Sequence, residues 1–473
     1  MLRMVAHIAL VGLVIGAAQA QPSAPARPDV MPYRDAAGRI IEAALASDEA
    51  WTQLEQLCDD IGHRLSGSAA LDRAIEWAAS TLRRGGAENV RVDPVMVPKW
   101  VRGRESATLL TPLERELPML GLGGSVGTPP EGVTAEVIVV GDENELNALP
   151  DERVRGRIVL FNKAMPPYSA ERGTSYGPTV KYRSQGARLA AARGAVAALV
   201  RSVTARSLQS PHTGGMNYGD AKTKVPTAAI TVEDAESMAR MQARGIPVRV
   251  TLRMEAKDEG LVPSGNVIGE LRGREAPDEV VVIGGHIDSW DVGQGAHDDG
   301  AGCVISMEAI RLLRKLDLRP RRTIRVVLWT NEENGLAGGK AYAEKYKDDL
   351  AKHVAAIESD SGAFAPRGFS VSHVDAAREK RAVQQLSEIV KLLEPLGAAK
   401  AEGGGGGADI GPLKPFGVPV MGHEVDNSIY FDYHHTHADT LDKVDRTDLN
   451  RNVAAMAIMA YVLADMPGRL GDE

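Results

Sequence analysis

Short clusters of imidazole and carboxylate side chains follow successive predicted strands in the second half of this chain. Ligand sites in open α/β sheets lie at the carboxyl ends of the strands, so these clusters are expected to converge. Any one cluster alone would be an ordinary polar loop, but their recurrence at the ends of successive strands favours a metal site. The clusters contain His286 and Asp288, His297 with Asp298 and Asp299, Glu332 with Glu333, Asp360, and finally His434, His435 and His437.

These residue types suit the chemistry of a two-metal hydrolase. Imidazole nitrogens and carboxylate oxygens are good ligands for Zn²⁺. Two metal ions about 3.5–4 Å apart need a bridging ligand, and a carboxylate bridges with its two oxygens. Water held there becomes a nucleophile near neutral pH, and a free carboxylate beside it must accept the proton. The clusters supply enough groups, namely two histidines, three liganding carboxylates and one carboxylate to act as base.

Strands and helices alternate around these clusters from residue 266 onward. Near-continuous Val and Ile runs indicate strands that are buried on both faces, which is typical of a mostly parallel sheet flanked by helices. We therefore predict an α/β fold. The predicted strands are 266–271, 279–286, 323–330, 354–360 and 418–422, and the predicted helices are 39–58, 71–84, 300–317, 336–350, 376–396 and 447–465.

The segment 106–255 differs in character and is predicted to be an inserted, β-rich accessory domain between the two catalytic parts, 36–105 and 260–467. It contains short β-rich runs, predicted helices at 186–200 and 233–245, and a polar loop at 163–185 with Tyr168, Tyr176 and Tyr182. Its histidine, His212, follows a proline in a polar loop, so a solvated or turn role is expected. We predict that the insert supplies no metal ligand and that the 163–185 loop limits the size of the substrates that reach the site.

The first twenty residues have the features of a secretory signal peptide. Arg3 precedes an apolar stretch of about ten residues, and Ala18-Gln19-Ala20 forms a small-x-small cleavage site. An N-terminal membrane anchor is the alternative, although the stretch is short for a bilayer. A flexible lead-in is expected at 21–35. The mature protein is thus predicted to be secreted or periplasmic, without membrane association.

The net charge and the cysteine content further limit the partners and the kinds of site that this protein can have. The 473 residues carry a net charge of -8, which argues against a nucleic-acid partner because no basic excess exists to follow a phosphate backbone. The two cysteines, Cys58 and Cys303, lie in no CxxC pair. They are predicted to be buried thiols, with a disulfide between them as the alternative.

Five motifs together resemble the di-zinc exopeptidases of the secreted-aminopeptidase and glutamate-carboxypeptidase type, and most of all their carboxypeptidase Q branch. The resemblance covers about 36–105 and 260–467, with a protease-associated-like insert between them. It implies a peptidase acting on dipeptides or short peptides, with two Zn²⁺ per subunit and a homodimeric assembly. The motifs are GGHIDSWDVGQGAHDDGAG (284–302), WTNEENGLAGG (329–339), IESDSG (357–362), GGGADIGPL (405–413) and HHTHADT (434–440).

The resemblance also implies a role for individual residues. His286, Asp298 and Asp360 would hold one zinc, and Asp298, Glu333 and His435 the other, with Asp298 bridging. Glu332 would be the general base, and the carboxylate of Asp288 would orient the imidazole of His286. In many relatives the peptide that joins the residues corresponding to Asp298 and Asp299 is strained.

Several alternatives stay open at the level of sequence. The oxyanion is stabilised by His434, by Tyr433 or by neither of them, since several relatives have a tyrosine where His434 stands. The walls of the substrate pocket are assigned to Arg64, Asp409, Lys414 and Asn427. An aminopeptidase acting on longer peptides is the alternative within the class. A non-catalytic, receptor-like binding module is the rival from another class, but it is disfavoured because the ligand set and the base are complete.

Overall fold

The computed structural model describes residues 28–206 and 208–472. The predicted signal peptide at 1–20 lies outside the described residues. The predicted flexible lead-in at 21–35 is wrong in its last part, because a 3₁₀ turn at Met31–Tyr33 leads directly into the first α-helix. Tyr33, Ala36 and Ala37 are buried in the main core, so the start of this helix is fixed by packing.

Helices and strands alternate along most of the chain. The α-helices are α1 (Arg34–Leu45), α2 (Glu49–Glu55), α3 (Ala69–Arg84), α4 (Glu143–Ala148), α5 (Asp151–Val154), α6 (Tyr176–Ala192), α7 (Val232–Ala243), α8 (Ala301–Lys315), α9 (Ala337–Lys345), α10 (Ala376–Ile389), α11 (Tyr430–Tyr433) and α12 (Arg446–Asp465). The strands are β1 (Glu88–Val101), β2 (Glu105–Thr111), β3 (Arg115–Leu117), β4 (Met119–Gly121), β5 (Val133–Val140), β6 (Ile158–Phe161), β7 (Ala197–Arg201), β8 (Thr227–Ile230), β9 (Arg249–Met254), β10 (Lys257–Leu271), β11 (Ala276–His286), β12 (Arg322–Trp329), β13 (His353–Glu358), β14 (Pro366–Ser372), β15 (Lys400–Gly403) and β16 (Val420–Val425).

The main sheet has eight strands in the order β1-β10-β12-β11-β13-β16-β14-β15. Its four central strands, β12, β11, β13 and β16, are parallel to one another, as predicted. The flanks are mixed, because β10 runs antiparallel to both β1 and β12, and β14 runs antiparallel to β16. Of the long ribbon formed by β1 and β10, only residues 266–271 were predicted to be a strand. The outer half of the ribbon is polar and exposed and gives no apolar signal.

The central strands are buried on both faces. Val281 and Ile283 of β11 pack into the core under α1, α8 and α12, whereas Val280 and Val282 pack on the opposite side against α9. This alternation between two apolar layers explains why the sequence shows unbroken Val and Ile runs instead of a period of two.

The second sheet also has eight strands, in the order β3-β2-β9-β5-β6-β7-β8-β4, and lies within residues 105–254. One local prediction in this region is wrong. The helix α6 begins at Tyr176, inside the predicted 163–185 loop, and the end of the predicted 186–200 helix is the buried strand β7. The helix buries Thr179, Gly186 and Ala187, so its inner face carries small and polar residues and gives a weak apolar signal.

Two further expectations can be compared with the fold. Cys58 and Cys303 are both buried and free, so the alternative of a disulfide between them does not hold in the structure. Among the residues described, no helix combines the length and apolar content needed to cross a bilayer.

Candidate functional site

The ends of the central parallel strands meet at one edge of the main sheet. His286 is the last residue of β11 and pairs with Trp329 at the end of β12, while Gly284 pairs with Glu358 at the end of β13. A side chain at Gly285 would overlap the carboxylate of Asp299, so a glycine is required where the following loop approaches the strand. The strand register therefore places the predicted clusters side by side.

His286, Asp298 and Asp360 form the first group of predicted ligands. The Nε2 atom of His286 lies 3.2 Å from Oδ1 of Asp298 and 3.3 Å from Oδ1 of Asp360. The Nδ1 atom of His286 lies 3.0 Å from the backbone carbonyl of Asp288. Donation to this carbonyl selects the tautomer that leaves Nε2 free to bind a metal.

His435, Asp298 and Glu333 form the second group. The Nε2 atom of His435 lies 3.2 Å from Oδ2 of Asp298 and 3.1 Å from Oε2 of Glu333. The two oxygens of Asp298 thus face different histidines. This is the arrangement that a carboxylate shared between two metal ions requires.

The donor atoms of these groups fit divalent metal ions. Nε2 of His286, Oδ2 of Asp298 and Oε1 of Glu333 are buried and make no hydrogen bond, which is uncommon for buried polar atoms. Ligand atoms within 4.8 Å of one another also include those of His434, grouped with Asp298 and His435, and of Asp299, grouped with His286 and Asp360. Within the part of the chain that the structure describes, none of the grouped residues belongs to the insert.

Charges at the site are strongly coupled. Burial on its own raises the pKa of Asp298, but the neighbouring imidazole groups of His286 and His435 outweigh burial and hold that pKa well below its usual range. Burial raises the pKa of Glu333 to about 7, and the neighbouring charge of Asp298 adds to the rise. Burial likewise raises the pKa of Glu332, with further contributions from Asp360 and Glu333. Crowded carboxyl groups of this kind favour the binding of cations.

Asp288 has a different role from the predicted one. Its carboxylate is 3.9 Å from Nδ1 of His286, whereas its backbone carbonyl is the hydrogen-bond acceptor for that ring. The carboxylate instead accepts hydrogen bonds from the backbone N–H groups of Glu332, at 3.1 Å, and Glu333, at 3.4 Å. Asp288 therefore positions the loop that carries the predicted base and ligand.

Two further carboxylates hold the backbone of the site. Asp299 accepts hydrogen bonds from the N–H groups of His286 and Gly302, both at 2.9 Å, and the peptide bond between Asp298 and Asp299 is cis. Asp439 accepts hydrogen bonds from the N–H groups of His297 and Asp298. Sequence reasoning gave Asp439 no role, although it belongs to the HHTHADT motif.

A cavity of about 790 Å³ opens directly above the ligand groups. Glu332, Asp298 and His435 contribute to its floor, and residues of both the insert and the catalytic part form its walls. Asn427 lines this cavity as predicted, but the other three predicted wall residues do not line it. Arg64 is fully buried and donates to backbone carbonyls, Asp409 is buried, and Lys414 bonds to Ser372. These three lie in the surrounding structure and away from the cavity wall.

The structure separates the two oxyanion candidates. His434 lines the cavity, and its ring stacks on that of His435 with a centroid distance of 3.5 Å. Burial and the charge of His435 hold the pKa of His434 well below its usual value, so the ring is neutral. Tyr433 is not among the cavity-lining residues, and its ring stacks on His297. His434 is thus the candidate that faces the cavity.

The insert contacts the site more closely than expected. His212 is buried, which contradicts the solvated role predicted for it, and burial lowers its pKa to about 3. The backbone carbonyl oxygen of Thr213 lies 3.3 Å from Nδ1 of His435 and accepts a hydrogen bond from it. The backbone N–H of Thr213 donates a hydrogen bond of 3.0 Å to the backbone carbonyl of His435. No short-range motif predicts such contacts, because more than 200 residues separate the partners along the chain.

The three tyrosines of the 163–185 segment occupy different places. Tyr176 lines the cavity, and its ring lies edge-on to His434 at 5.3 Å. Tyr168 lines a smaller adjoining cavity of about 290 Å³. Tyr182 points into the core of the insert, where it stacks on Phe161 at 5.3 Å. The segment does border the site, although only part of it is a loop.

Comparisons with known proteins agree with this geometry. The profile of peptidase family M28 matches residues 266–460, and that of the PA domain matches residues 133–238. Carboxypeptidase Q of Mus musculus is 44% identical over 93% of this chain and 91% of its own length. The crystal structure of a peptidase M28 precursor from Shewanella amazonensis superposes with a TM-score of 0.88 at 36% identity, covering 93% of this chain and 99% of that one.

An aminopeptidase from an Aneurinibacillus species shares the fold, with a TM-score of 0.61 at 21% identity over 92% of this chain and 97% of that one. The predicted α/β fold with a protease-associated insert is confirmed, as is the predicted family resemblance. The chain therefore belongs to peptidase family M28 and is a hydrolase of the metallo-exopeptidase type.

Proposed function

We propose that this protein is a secreted or periplasmic di-zinc exopeptidase that hydrolyses dipeptides or short peptides. The observation that carries the proposal is the position of Asp298, whose two oxygens face His286 and His435 at 3.2 Å each. Asp360 completes the ligand group that contains His286, and Glu333 completes the group that contains His435. Zinc suits this set because all five ligands are imidazoles or carboxylates.

Zinc ions bound at these groups would polarise the scissile carbonyl and make water acidic enough to react near neutral pH. The chain supplies the remaining functions. Glu332 lines the cavity beside the ligand groups, and its backbone is held by Asp288, so its carboxylate is placed to take a proton from water and pass it to the leaving amine. A neutral His434 faces the same cavity and is placed to donate a hydrogen bond to the oxyanion.

The size and walls of the cavity support short peptides as substrates. A volume of about 790 Å³ is within the range of small-ligand sites, and Thr174 and Tyr176 of the insert form part of its wall. An aminopeptidase acting on longer peptides is the alternative, and it requires a cavity that lets an extended chain leave past the insert. Mouse carboxypeptidase Q, one of the relatives, is by its name a carboxypeptidase, which favours the first alternative over an aminopeptidase.

The test combines metal analysis with a substrate panel. Native mass spectrometry of the purified protein should show two zinc ions per chain. A panel of free dipeptides, N-blocked dipeptides and tri- to hexapeptides should be hydrolysed best at the shortest length. Chelation should abolish this activity, and added zinc should restore it. Activity that survives complete removal of metal would refute the proposal, and faster cleavage of hexapeptides would favour the aminopeptidase.

We also propose a homodimer, from the family resemblance, and export by the segment 1–20, from its signal-peptide features. Light scattering of the purified protein measures the first, with a mass near twice that of one mature chain expected. Mass spectrometry of the mature N-terminus measures the second, with Gln21 expected as the first residue.

A further inference from the structure

The late ligand histidine has an uncommon backbone conformation. The φ angle of His435 is +63°, in the left-handed region that few residues other than glycine adopt. The Cβ atom makes this region unfavourable, so the surrounding structure must stabilise it. The conformation matters for the site because it directs the ring of His435, whose Nε2 atom lies 3.2 Å from Asp298 and 3.1 Å from Glu333.

The insert supplies hydrogen bonds that hold this backbone. The N–H of Thr213 donates a hydrogen bond of 3.0 Å to the carbonyl of His435. The ring of His212 donates a hydrogen bond to the carbonyl of His434, and this bond acts against the lowering of the His212 pKa by burial. Both peptide groups that flank the α-carbon of His435 therefore accept a hydrogen bond from the segment 212–213.

His212 acts from behind the site. Only 3% of the residue is exposed, and it is not among the residues that line the cavity. Its Nδ1 atom is buried and makes no hydrogen bond, so the proton that the ring donates is carried by Nε2. His212 thus influences the site through the backbone of the late loop and not through contact with a substrate.

The segment that contains both donors is itself anchored to the sheet of the insert. The N–H of His212 donates to Oγ of Ser202 at 2.9 Å, and this hydroxyl donates to the carbonyl of Ile230, the last residue of β8, at 2.8 Å. The hydroxyl of Thr213 donates to the carbonyl of Gly121, the last residue of β4, at 2.7 Å. The segment is therefore a rigid support for the loop that carries the late ligand histidine.

We propose that His212 is a positioning residue of the metal centre. Its hydrogen bond to the carbonyl of His434 holds His435 in the left-handed conformation that directs Nε2 at the ligand group. This inference rests on the proposed di-zinc function and goes beyond it, because it makes the insert necessary for one of the two metal positions although the insert supplies no ligand.

The other metal position is supported by the catalytic part. The N–H of His286 donates to the carboxylate of Asp299, and Nδ1 of its ring faces the carbonyl of Asp288. Loss of the hydrogen bond from His212 should therefore weaken zinc binding at the group that contains His435 and spare the group that contains His286.

The experiment measures zinc affinity in two backgrounds that each keep one metal position. Glu333→Ala removes a ligand of the His435 group, and Asp360→Ala removes a ligand of the His286 group. His212→Phe keeps a buried ring but has no hydrogen-bond donor. Added to Asp360→Ala, it should weaken zinc binding about 10- to 100-fold, and added to Glu333→Ala it should leave zinc binding unchanged. Competition with a chromophoric chelator measures these affinities.

A rescue variant and a matched control accompany this measurement. His212→Gln should keep the zinc affinity of the parent in both backgrounds, because its side-chain amide donates from nearly the position of Nε2. His212→Met replaces His212→Phe if that variant does not fold.

The control is His373→Phe, since the buried ring of His373 also contacts a backbone carbonyl, that of Gly417, at 3.0 Å. His373 follows β14, which runs antiparallel to β16 and so ends at the opposite edge of the main sheet from the ligands. This variant should change zinc affinity in neither background.

Equal zinc affinity of Asp360→Ala with and without His212→Phe would overturn the inference. A loss of affinity in both backgrounds, or a loss that His212→Gln shares, would overturn it as well and assign His212 to the folding of the insert alone. A wild type that binds two zinc ions but hydrolyses no peptide would instead refute the proposed function, so the two failures are distinguishable.

Discussion

The carboxylate of Asp439 accepts a hydrogen bond of 3.1 Å from the backbone N–H of Asp298. Its other oxygen accepts a hydrogen bond of 2.8 Å from the N–H of His297. The residue that faces both ligand groups is therefore fixed from behind by a side chain that comes from the late histidine-rich loop. A change at Asp439 should act on metal binding without touching a ligand.

We predict that Asp439→Asn weakens zinc binding about 10- to 100-fold, as is typical when a partner that orients a ligand is altered. The amide group would turn an N–H donor toward one of the two backbone donors, and that repulsion would shift Asp298. Competition with a chromophoric chelator measures the affinity. Asp442→Asn is the control, because Asp442 is exposed and pairs with Lys443. Unchanged affinity in Asp439→Asn would show that the backbone alone fixes Asp298.

The metal-free protein should become less stable as the pH rises from about 4 to 7. Burial raises the pKa of Asp439 to about 7, whereas an Asp in an unfolded chain has a pKa of about 3.9. Between these values the folded state binds more protons than the unfolded state, so the free energy of unfolding falls as pH rises. Glu358, with a pKa raised by burial to about 8, extends the same trend upward.

Thermal unfolding in the presence of a chelator measures this effect. Tm should fall from pH 5 to pH 8, and the fall should be smaller in Asp439→Asn, which lacks one of the titrating groups. Zinc-loaded protein should show the opposite tendency, because bound cations favour the ionised carboxylates. A Tm of the metal-free protein that rises over this range would contradict the prediction.

Glu332→Gln should keep both zinc ions and the fold, yet lose most of its turnover. The amide cannot accept the proton from water, and the loss of a general base typically lowers the rate about 10²- to 10⁴-fold. Zinc content and kcat are measured on the same preparation. Loss of zinc instead of turnover would mean that Glu332 and Glu333 have exchanged the roles of base and ligand.

Asp298→Ala should reduce metal content more than any other single ligand change. It removes a carboxylate that faces both groups, whereas Asp360→Ala affects the His286 group only. Native mass spectrometry should find at most one zinc in Asp298→Ala. Two zinc ions in this variant would identify another carboxylate as the bridge, and Asp299 would be the first to test.

Deletion of residues 169–172 should broaden the accepted substrate length and leave zinc content unchanged. These residues precede α6 and lie between Tyr168 and Thr174, which both line the smaller cavity next to the site, whereas Tyr176 remains in place on the helix. Cleavage of a di- to hexapeptide series measures the length preference. An unchanged preference would exclude the loop from substrate selection.

The sequence predicted the parallel centre of the main sheet and the convergence of its strand ends. Both follow from local signals, since Val and Ile runs identify buried strands and parallel strands share one carboxyl edge. The structure brings His286, Asp298, Glu333, Asp360 and His435 together as those signals imply.

Interactions between distant parts of the chain were not predictable in the same way. Arg183 and Thr213 reach His435 across more than 200 residues of sequence, and nothing in their own neighbourhoods marks them. Arg64 was misassigned for a related reason. A charged side chain is typical of a substrate-pocket wall. The guanidinium group of Arg64 instead donates hydrogen bonds to backbone carbonyls in the interior.

The hydrogen bonds between Thr213 and His435 have a consequence for how this architecture can be recombined. In a chimaera that takes residues 106–255 from a relative, a foreign loop would contact His435. In a version whose insert is replaced by a short linker, the ring of His435 would lose this contact and be free to rotate. The accessory domain is thus not an exchangeable module. It should be transplanted only together with the 434–440 segment on which it rests, so that both sides of the contact share one origin.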